Sequence, residues 1–200
     1  MDFIYTSLIN SCSTIFSEII SNLTIYQGSF PLKFKLAQVT LLLKKPGLDK
    51  NTPSNYRSIS ILNHISKLLE RLILSRIQHH TTSSSTFNIF QSAYRRYYST
   101  DLALLLALDN IYHAIDEGSS TVLISMDLST AFDTIDHTIL LIRLQTSFSI
   151  SEPALAWFYS YLERRRQFVR IVCFTSPVTL CTTSVLQGSV LGPMLFTVFI

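Results

Sequence analysis

The sequence predicts an α+β fold, and three kinds of segment carry that prediction. Residues 121–126 form a nearly continuous β-branched, apolar run, which is typical of a strand buried on both faces. Residues 167–173 and 178–183 alternate well enough to predict a hairpin around a Ser-Pro turn. Residues 65–77 instead place their apolar side chains on one helical face. In a chain of 200 residues, such elements fit one domain, or one domain and part of another.

The remaining elements of the first half are predicted from shorter patterns. Residues 35–43 are predicted as a strand, which is followed by a basic turn and a polar loop. The Ser/Thr-rich residues 81–86 predict a linker and an internal boundary. A second helix is predicted to end near Ile115 and to start at Ser99 or Asp101, since either side chain suits a helix cap.

The second half is predicted to alternate helices with the strands already named. Residues 135–145 and 152–164 predict two helices, and Pro153 is compatible with the first turn of the latter. The turn Gln187-Gly188 leads into a final apolar helix. No internal repeat is visible.

Composition restricts the class of protein. At 48% hydrophobic and 14% charged residues, the chain can bury a sizeable core and is not disordered. The net charge of +3 and the pI near 8.8 are compatible with nucleic-acid binding without requiring it. A mean hydropathy of +0.32 is high for a complete domain and fits a fragment with apolar faces meant for absent partners. Three cysteines without a Cys-x-x-Cys pair predict neither a zinc site nor a disulfide framework.

Sequence features also give an expected location. No apolar run reaches the roughly 20 residues needed to span a bilayer. The first residues lack the positive region of a secretory signal. We therefore expect an intracellular protein, cytoplasmic or nuclear, with no membrane association.

Asp127 is the residue most indicative of chemistry. It ends the predicted strand at 121–126, and a charge in that position is costly unless something pairs with it. An isolated Asp is more often a helix cap or an ion-pair partner. Here Phe132 follows five residues later, and Gln-Gly-x-x-x-x-Pro follows at 187–193. That context favours a metal-binding carboxylate, one of several that phosphoryl transfer by two metal ions needs.

These motifs belong to an ordered set that resembles the reverse transcriptases of non-LTR (LINE-type) retrotransposons over roughly residues 27–200. The matching stretches are Phe-Lys-Leu-Ala-Gln-Val (34–39), Leu-Lys-Lys-Pro-Gly-Leu-Asp (43–49), Asn-Tyr-Arg-Ser-Ile-Ser (55–60), Ile-Ser-Lys-Leu-Leu-Glu-Arg (65–71), Gln-Ser-Ala-Tyr-Arg (91–95), Ser-Thr-Asp-Leu-Ala-Leu (99–104), Met-Asp-Leu-Ser-Thr-Ala-Phe-Asp-Thr-Ile-Asp-His (126–137), Trp-Phe-Tyr-Ser-Tyr-Leu (157–162) and Gln-Gly-Ser-Val-Leu-Gly-Pro (187–193). Each stretch alone is weak, whereas their order and spacing make a strong signal.

The resemblance implies a right-hand polymerase fragment. It would comprise a fingers region (27–116) and the first part of a palm (117–200). The helical spacing of apolar residues separately predicts an N-terminal helical segment (1–26) before them. The Tyr-x-Asp-Asp hairpin and the thumb would be lacking, so we expect no polymerisation by this chain alone. The complete enzyme would copy an RNA template from a DNA primer with deoxynucleotides and Mg²⁺.

The resemblance also implies roles for single residues. Asp127 and the backbone carbonyl of Leu128 would be magnesium ligands. Phe132 would lie under the sugar of the nucleotide and select against a 2′-hydroxyl, although it could also be an ordinary core aromatic. Gln187 and Gly188 would lie against the nascent base pair, although they could equally be a helix-opening turn.

Basic and aromatic residues are the candidates for contacts with nucleotide and nucleic acid. Arg57 would bind the nucleotide, because a planar guanidinium suits phosphate oxygens. Arg95 is a second candidate, for template or nucleotide. The candidates for nucleic-acid contact are Lys44, Lys45, Tyr94, Arg96, Arg164, Arg165 and Arg166. Each of these arginines could instead be a surface or helix-ending residue without a ligand. Asp133, Asp136 and His137 are assigned to capping and structure.

Departures from the family pattern support a rival interpretation. Leu41 and Ser58 stand where the family has Pro, and Ser149 stands for a Gly. Ser184 and Leu186 replace Gly and Pro, and the three residues from Arg96 to Tyr98 replace a Pro-Gly-His-like turn. Scattered losses of this kind indicate a decaying element copy. The rival is a non-catalytic remnant that binds at most nucleic acid or a protein. Phe132 disfavours a third alternative, an RNA-templated RNA polymerase.

Overall fold

The computed structural model of the protein describes residues 24, 26–128 and 130–200, and these residues form a mixed α+β fold. The predicted fold class is therefore confirmed, whereas the predicted N-terminal helical segment lies almost wholly outside the described residues. In chain order the elements are β1 (Leu36–Leu43), β2 (Tyr56–Ile61), α1 (His64–Thr82), α2 (Thr100–Asp116), α3 (His137–Thr146), α4 (Ala154–Leu162), β3 (Arg165–Ile171), β4 (Phe174–Thr175), β5 (Thr179–Cys181) and α5 (Gly192–Phe199). Short 3₁₀ turns precede β1 and β2.

The sheet joins strands from both halves of the chain. Its order is β2-β1-β3-β4, and β5 also pairs with β3. β1 runs antiparallel to β2, with Gln38 opposite Ile61, and parallel to β3, with Leu36 opposite Arg166. Strand β2 was not predicted, although its hydrogen-bond partner β1 was. The predicted hairpin is confirmed in outline, because β3 pairs antiparallel with β5 as well as with the two-residue β4.

Four of the helices enclose the main apolar core. Helix α3 packs against α4 and α5, and α1 packs against α5. At the centre, the rings of Trp157 and Tyr161 stack with centroids 5.3 Å apart, and Phe30 meets both rings edge-on. Such aromatic pairs add stability beyond the area that they bury. This core fixes α5 and therefore the turn that opens it.

Helix starts follow the predicted cap chemistry. Ser99 caps α2, since its side chain accepts the Leu102 N–H at 3.2 Å; Asp101 lies inside the helix. Asp136 caps α3 by accepting the N–H groups of Thr138 and Ile139, which confirms its structural assignment. The linker predicted at 81–86 is wrong at its start, because α1 continues to Thr82.

The strand predicted at 121–126 does not form. Residues 121–128 have no regular secondary structure and are exposed, and Val122 and Met126 are 83% and 87% accessible. Helix α2 likewise has no buried residue. β-branched residues favour strands mainly through packing against cross-strand neighbours, and no described strand pairs with this segment. The sequence of residues 121–126 thus indicated a preference for strand, but it could not show that no described strand pairs with them.

No helix in the described residues is both long enough and apolar enough to cross a membrane.

Candidate functional site

The turn Gln187-Gly188 lies directly against strand β2. The Ser60 N–H donates to the Gln187 carbonyl at 2.7 Å. Gly188 has a φ of +110°, and a Cβ placed on it would come within 2.6 Å of the Ser60 carbonyl oxygen. Only glycine tolerates both the conformation and the close approach. The turn therefore presents the exposed Gln187 side chain to solvent while its backbone is fixed on the sheet.

A buried carboxylate holds the other side of the same turn. Glu70 of α1 is 0% exposed, and its Oε2 accepts the N–H groups of Val190 at 2.6 Å and Leu191 at 3.2 Å. The Ser66 hydroxyl donates to Glu70 Oε1 at 3.1 Å, and Ser189 Oγ accepts the Gly192 N–H at 2.9 Å. These bonds satisfy free amides where α5 begins.

Sequence reasoning missed Glu70. The available signal is its place on α1, because Ser66, Leu69, Glu70 and Ile73 share the buried face of the helix. A carboxylate within an apolar stripe needs a partner. That partner lies 120 residues away in sequence, where no local pattern indicates it.

Phe132 packs against the helix that the turn opens. Its ring lies 5.1 Å from that of Phe196 in α5 and 6.3 Å from that of Tyr94. Its carbonyl accepts the Val185 N–H at 2.9 Å, just before the Gln187-Gly188 turn. The half-buried ring is thus positioned by the same segment, and its contacts fit a core aromatic as well as a nucleotide-facing one.

His137 contacts the residues just before the Gln187-Gly188 turn. One of its ring nitrogens, Nε2, lies 2.8 Å from the Ser184 carbonyl oxygen. This contact ties the start of α3 to the residues before the turn and confirms the structural assignment of His137.

Asp127 and Leu128 lie apart from these contacts. Both are exposed in the irregular segment 121–128, and Asp133 is an exposed carboxylate beyond the following turn. In the part of the chain that the structure describes, no group of three or more His, Cys, Asp or Glu side chains could hold a metal ion. A single carboxylate leaves most of the charge of a divalent ion uncompensated. The described residues therefore do not fit a complete magnesium site.

The predicted nucleotide-binding arginines differ in their surroundings. Arg57 is exposed on β2, three residues before Ser60. Arg95 is half-buried; its guanidinium lies 4.2 Å from the centre of the Tyr98 ring and 3.4 Å from the Ile89 carbonyl oxygen. Local contacts thus already occupy Arg95, whereas the Arg57 guanidinium faces solvent.

Most candidates for nucleic-acid contact are on the surface. Lys44, Lys45, Tyr94, Arg96, Arg164 and Arg166 are all exposed. Arg96 stacks on Tyr97 at 4.8 Å, and Arg164 Nε lies 3.2 Å from Glu163 Oε1. An exposed ion pair of this kind is weak and leaves Arg164 accessible.

Arg165 requires a correction. Its side chain is 2% exposed, its Nε donates to the Tyr161 carbonyl at 2.7 Å, and its guanidinium lies 3.8 Å from the Tyr161 ring centre. Lys35 Nζ donates to the Glu163 carbonyl at 3.0 Å, and burial, then Arg165, lowers the pKa of Lys35. Both cations therefore bind carbonyls at the C-terminal end of α4. The interior position of Arg165 does not fit a contact with nucleic acid.

Three substituted turn positions have left-handed backbone. Tyr97, Ser149 and Ser184 have φ values of +68°, +53° and +80°. Each is a position where the resemblance led us to expect glycine or a glycine-containing turn. The structure confirms that these positions need special backbone geometry, and a residue with a Cβ is strained there.

Comparisons of the sequence with known proteins identify a family and several relatives. The family described as "Reverse transcriptase (RNA-dependent DNA polymerase)" matches residues 43–200. The chain is 32% identical over 185 residues to the probable RNA-directed DNA polymerase from transposon BS of Drosophila melanogaster. It is 30% identical over 185 residues to the RNA-directed DNA polymerase from mobile element jockey of the same organism. A more distant relative is the Pol polyprotein of the type-1 retrotransposable element R2 of Popillia japonica, with 26% identity over 175 residues.

These matches cover most of this chain and a small part of each relative. The transposon BS and jockey matches cover 92% of the chain, and the R2 match covers 87%. The corresponding shares of the relatives are 20%, 20% and 24%. The chain thus spans about a fifth of the length of the curated relatives that it matches.

Proposed function

Because this chain belongs to the reverse transcriptase (RNA-dependent DNA polymerase) family, we propose that it supplies the nucleotide-facing part of a retrotransposon polymerase. The family acts on an RNA template and a primer with deoxynucleotides. In this proposal, residues 27–116 are fingers and residues 117–200 are the first part of a palm. The remainder of the active site would come from sequence outside these 200 residues.

The observation that carries the proposal is the contact between the Gln187-Gly188 turn and strand β2. Ser60 binds the turn, and Arg57 lies three residues earlier on the same strand. At the usual rise of a strand, that separation is about 10 Å. This span suits a nucleotide with its base at the turn and its phosphates at the guanidinium. The Gln187 and Arg57 side chains are both exposed, and Arg57 forms no ion pair in the described structure.

Phe132 and Asp127 are proposed to complete the nucleotide site in a longer chain. Phe132 would limit the space at the sugar, with Tyr94 and Phe196 packed against its ring. Asp127 and the Leu128 carbonyl would be ligands of Mg²⁺ only beside further carboxylates, because one carboxylate does not balance the charge. We propose surface contacts to template and primer for the exposed residues Lys44, Lys45, Tyr94, Arg96, Arg164 and Arg166.

A non-catalytic remnant is the second candidate. The left-handed Tyr97, Ser149 and Ser184 support it, since each stores backbone strain, and Tyr97 and Ser184 do so within three residues of a predicted site residue. The two candidates differ in one observable property. An active polymerase binds the nucleotide at Arg57 and Gln187 and carries out templated synthesis, whereas a remnant binds nucleic acid without templated synthesis.

The test is primer extension by an enzyme of its relatives' full length that carries these 200 residues. Arg57→Ala should raise the KM for deoxynucleotides by about tenfold or more, a loss near 1.4 kcal/mol. Arg76→Ala is the matched control, because Arg76 is an exposed arginine on α1. An equal effect of both substitutions would refute the role of Arg57. Absence of templated synthesis by the unmodified enzyme would favour the remnant.

A further inference from the structure

Glu70 is the only buried acidic side chain in the described residues, and no lysine or arginine forms an ion pair with it there. Its charge is instead stabilised by the N–H groups of Val190 and Leu191 and by the Ser66 hydroxyl. Hydrogen bonds to an ionised acceptor are stronger than neutral ones, and the low dielectric of the interior strengthens them further. The carboxylate therefore fixes the backbone of residues 190 and 191 rather than balancing a cation.

The residues that Glu70 holds are the continuation of the Gln187-Gly188 turn. On one side, the turn is bound to Ser60 of β2, where Gly188 allows close contact. On the other side, it is bound to α1 through Glu70. Ser189, between these two attachments, is buried and caps Gly192. The exposed Gln187 and Gly188 thus lie on a segment attached at both ends to different elements.

Tyr161 adds to the same buried cluster. Its hydroxyl lies close to Glu70 and Ser189 but forms no hydrogen bond with good geometry in the described residues, and burial raises the pKa of this phenol well above its usual range. The phenol is therefore neutral beside the carboxylate. It brings α4 to the junction of α1 and α5 without introducing a second charge.

We propose that Glu70 is a positioning residue for nucleotide binding, acting through the backbone of residues 187–191. This inference rests on the proposed function. Without the carboxylate, the part-buried Val190 amide and the buried Leu191 amide lose their acceptor just before α5. The turn then keeps its backbone contact with β2 but loses its hydrogen bonds to α1, so Gln187 samples orientations that do not suit a base pair. Loss of Glu70 should weaken nucleotide binding more than template-primer binding.

The first measurement is hydrogen exchange on the chain of residues 1–200. Glu70→Ala should speed exchange of the Val190 and Leu191 amides by about tenfold or more, since each loses its acceptor. Thr81→Ala is the matched control on the same helix. Thr81 is also buried, but its hydroxyl bonds only to the Ile77 and Gln78 carbonyls of α1. Equal exchange in both variants would overturn the anchoring.

The second measurement is steady-state kinetics of the full-length enzyme that carries this domain. Glu70→Ala should raise the KM for deoxynucleotides by about tenfold or more, with template-primer Kd within about twofold of the parent. Glu70→Gln keeps one acceptor oxygen and should fall between parent and alanine variant, and it decides the matter if Glu70→Ala does not fold. Thr81→Ala should leave the nucleotide KM unchanged.

The outcomes separate this inference from the function on which it rests. If the parent enzyme synthesises DNA and both Glu70 variants have an unchanged nucleotide KM, the positioning role is overturned and the proposed function is left intact. A rise in KM shared equally by Thr81→Ala would overturn it as well, because general destabilisation would then explain the effect. No synthesis by the parent would overturn both.

Discussion

Gly188 and Ser60 approach so closely that a methyl group on Gly188 would lie 2.6 Å from the Ser60 carbonyl oxygen. The contact joins the turn before α5 to strand β2, and the Ser60 N–H also donates to Gln187. Two stretches that are remote in sequence are thereby joined through their backbones. That Gly188 lies against a nascent base pair stays a prediction. Its close approach to the backbone of Ser60 is a finding.

Gly188→Ala should therefore lower the free energy of unfolding by about 3 kcal/mol, through steric collision and left-handed backbone together. Urea denaturation of residues 1–200 measures this loss. Gly47→Ala is the matched control, since Gly47 also has positive φ (+87°) but open space around its Cβ position. The control should cost only about 1 kcal/mol. Equal losses would show that the collision is relieved by a small shift of the turn.

Restoring glycine at the strained serines should stabilise the protein. Ser149→Gly and Ser184→Gly should each raise the free energy of unfolding by about 1 kcal/mol, because their φ values of +53° and +80° favour glycine. Ser119→Gly, at an exposed position without positive φ, should instead be neutral or destabilising. The measurement is the denaturation midpoint of each of the three variants. A similar loss of stability in all three would contradict the presence of backbone strain at Ser149 and Ser184.

Substitution of the neighbouring Arg165 and Arg166 should affect different properties: Arg165 the stability of the protein, and Arg166 its binding of RNA. Arg165→Ala removes a buried guanidinium that contacts Tyr161, and should lower the free energy of unfolding by about 2 kcal/mol or more. Arg166→Ala should leave stability nearly unchanged. It should weaken RNA binding and reduce the slope of affinity against salt by about one. Denaturation and a salt series of binding measurements test both. An unchanged salt slope would remove Arg166 from the interface.

Phe132→Ala in the full-length enzyme should raise the use of ribonucleotides relative to deoxynucleotides by about tenfold, or about 1.4 kcal/mol of discrimination. The physical reason is that removing the ring opens space at the sugar, which a 2′-hydroxyl can then occupy. Phe196→Ala removes a ring that packs on Phe132 without removing the proposed gate. It should affect stability more than sugar discrimination. An active Phe132→Ala enzyme with an unchanged ratio would identify Phe132 as an ordinary core residue.

The parts of the fold that sequence predicted are those with local causes. Ser99 and Asp136 cap their helices through amides two or three residues away, so their roles could be read from the adjacent sequence. The left-handed positions Ser149 and Ser184 were indicated only by the family pattern, because nothing intrinsic to serine marks positive φ.

The errors have a different physical origin. The predicted strand at 121–126 depended on a partner strand that its own residues could not specify. Glu70 was missed because its acceptor role depends on amides 120 residues away. Arg165 was misassigned because three successive arginines look equivalent in sequence, whereas the strand turns only the middle one inward. Long-range pairing and side-chain direction decided each case.

The most direct test of the account is primer extension with Asp127→Asn in a full-length enzyme that carries these residues. The substitution is nearly isosteric but removes the charge proposed to hold Mg²⁺, so templated synthesis should fall by at least about a thousandfold. Asp133→Asn, an exposed carboxylate six residues away, should retain activity within about tenfold of the parent. Residues 1–200 alone should show no synthesis. Activity of Asp127→Asn within about tenfold of the parent would contradict the account.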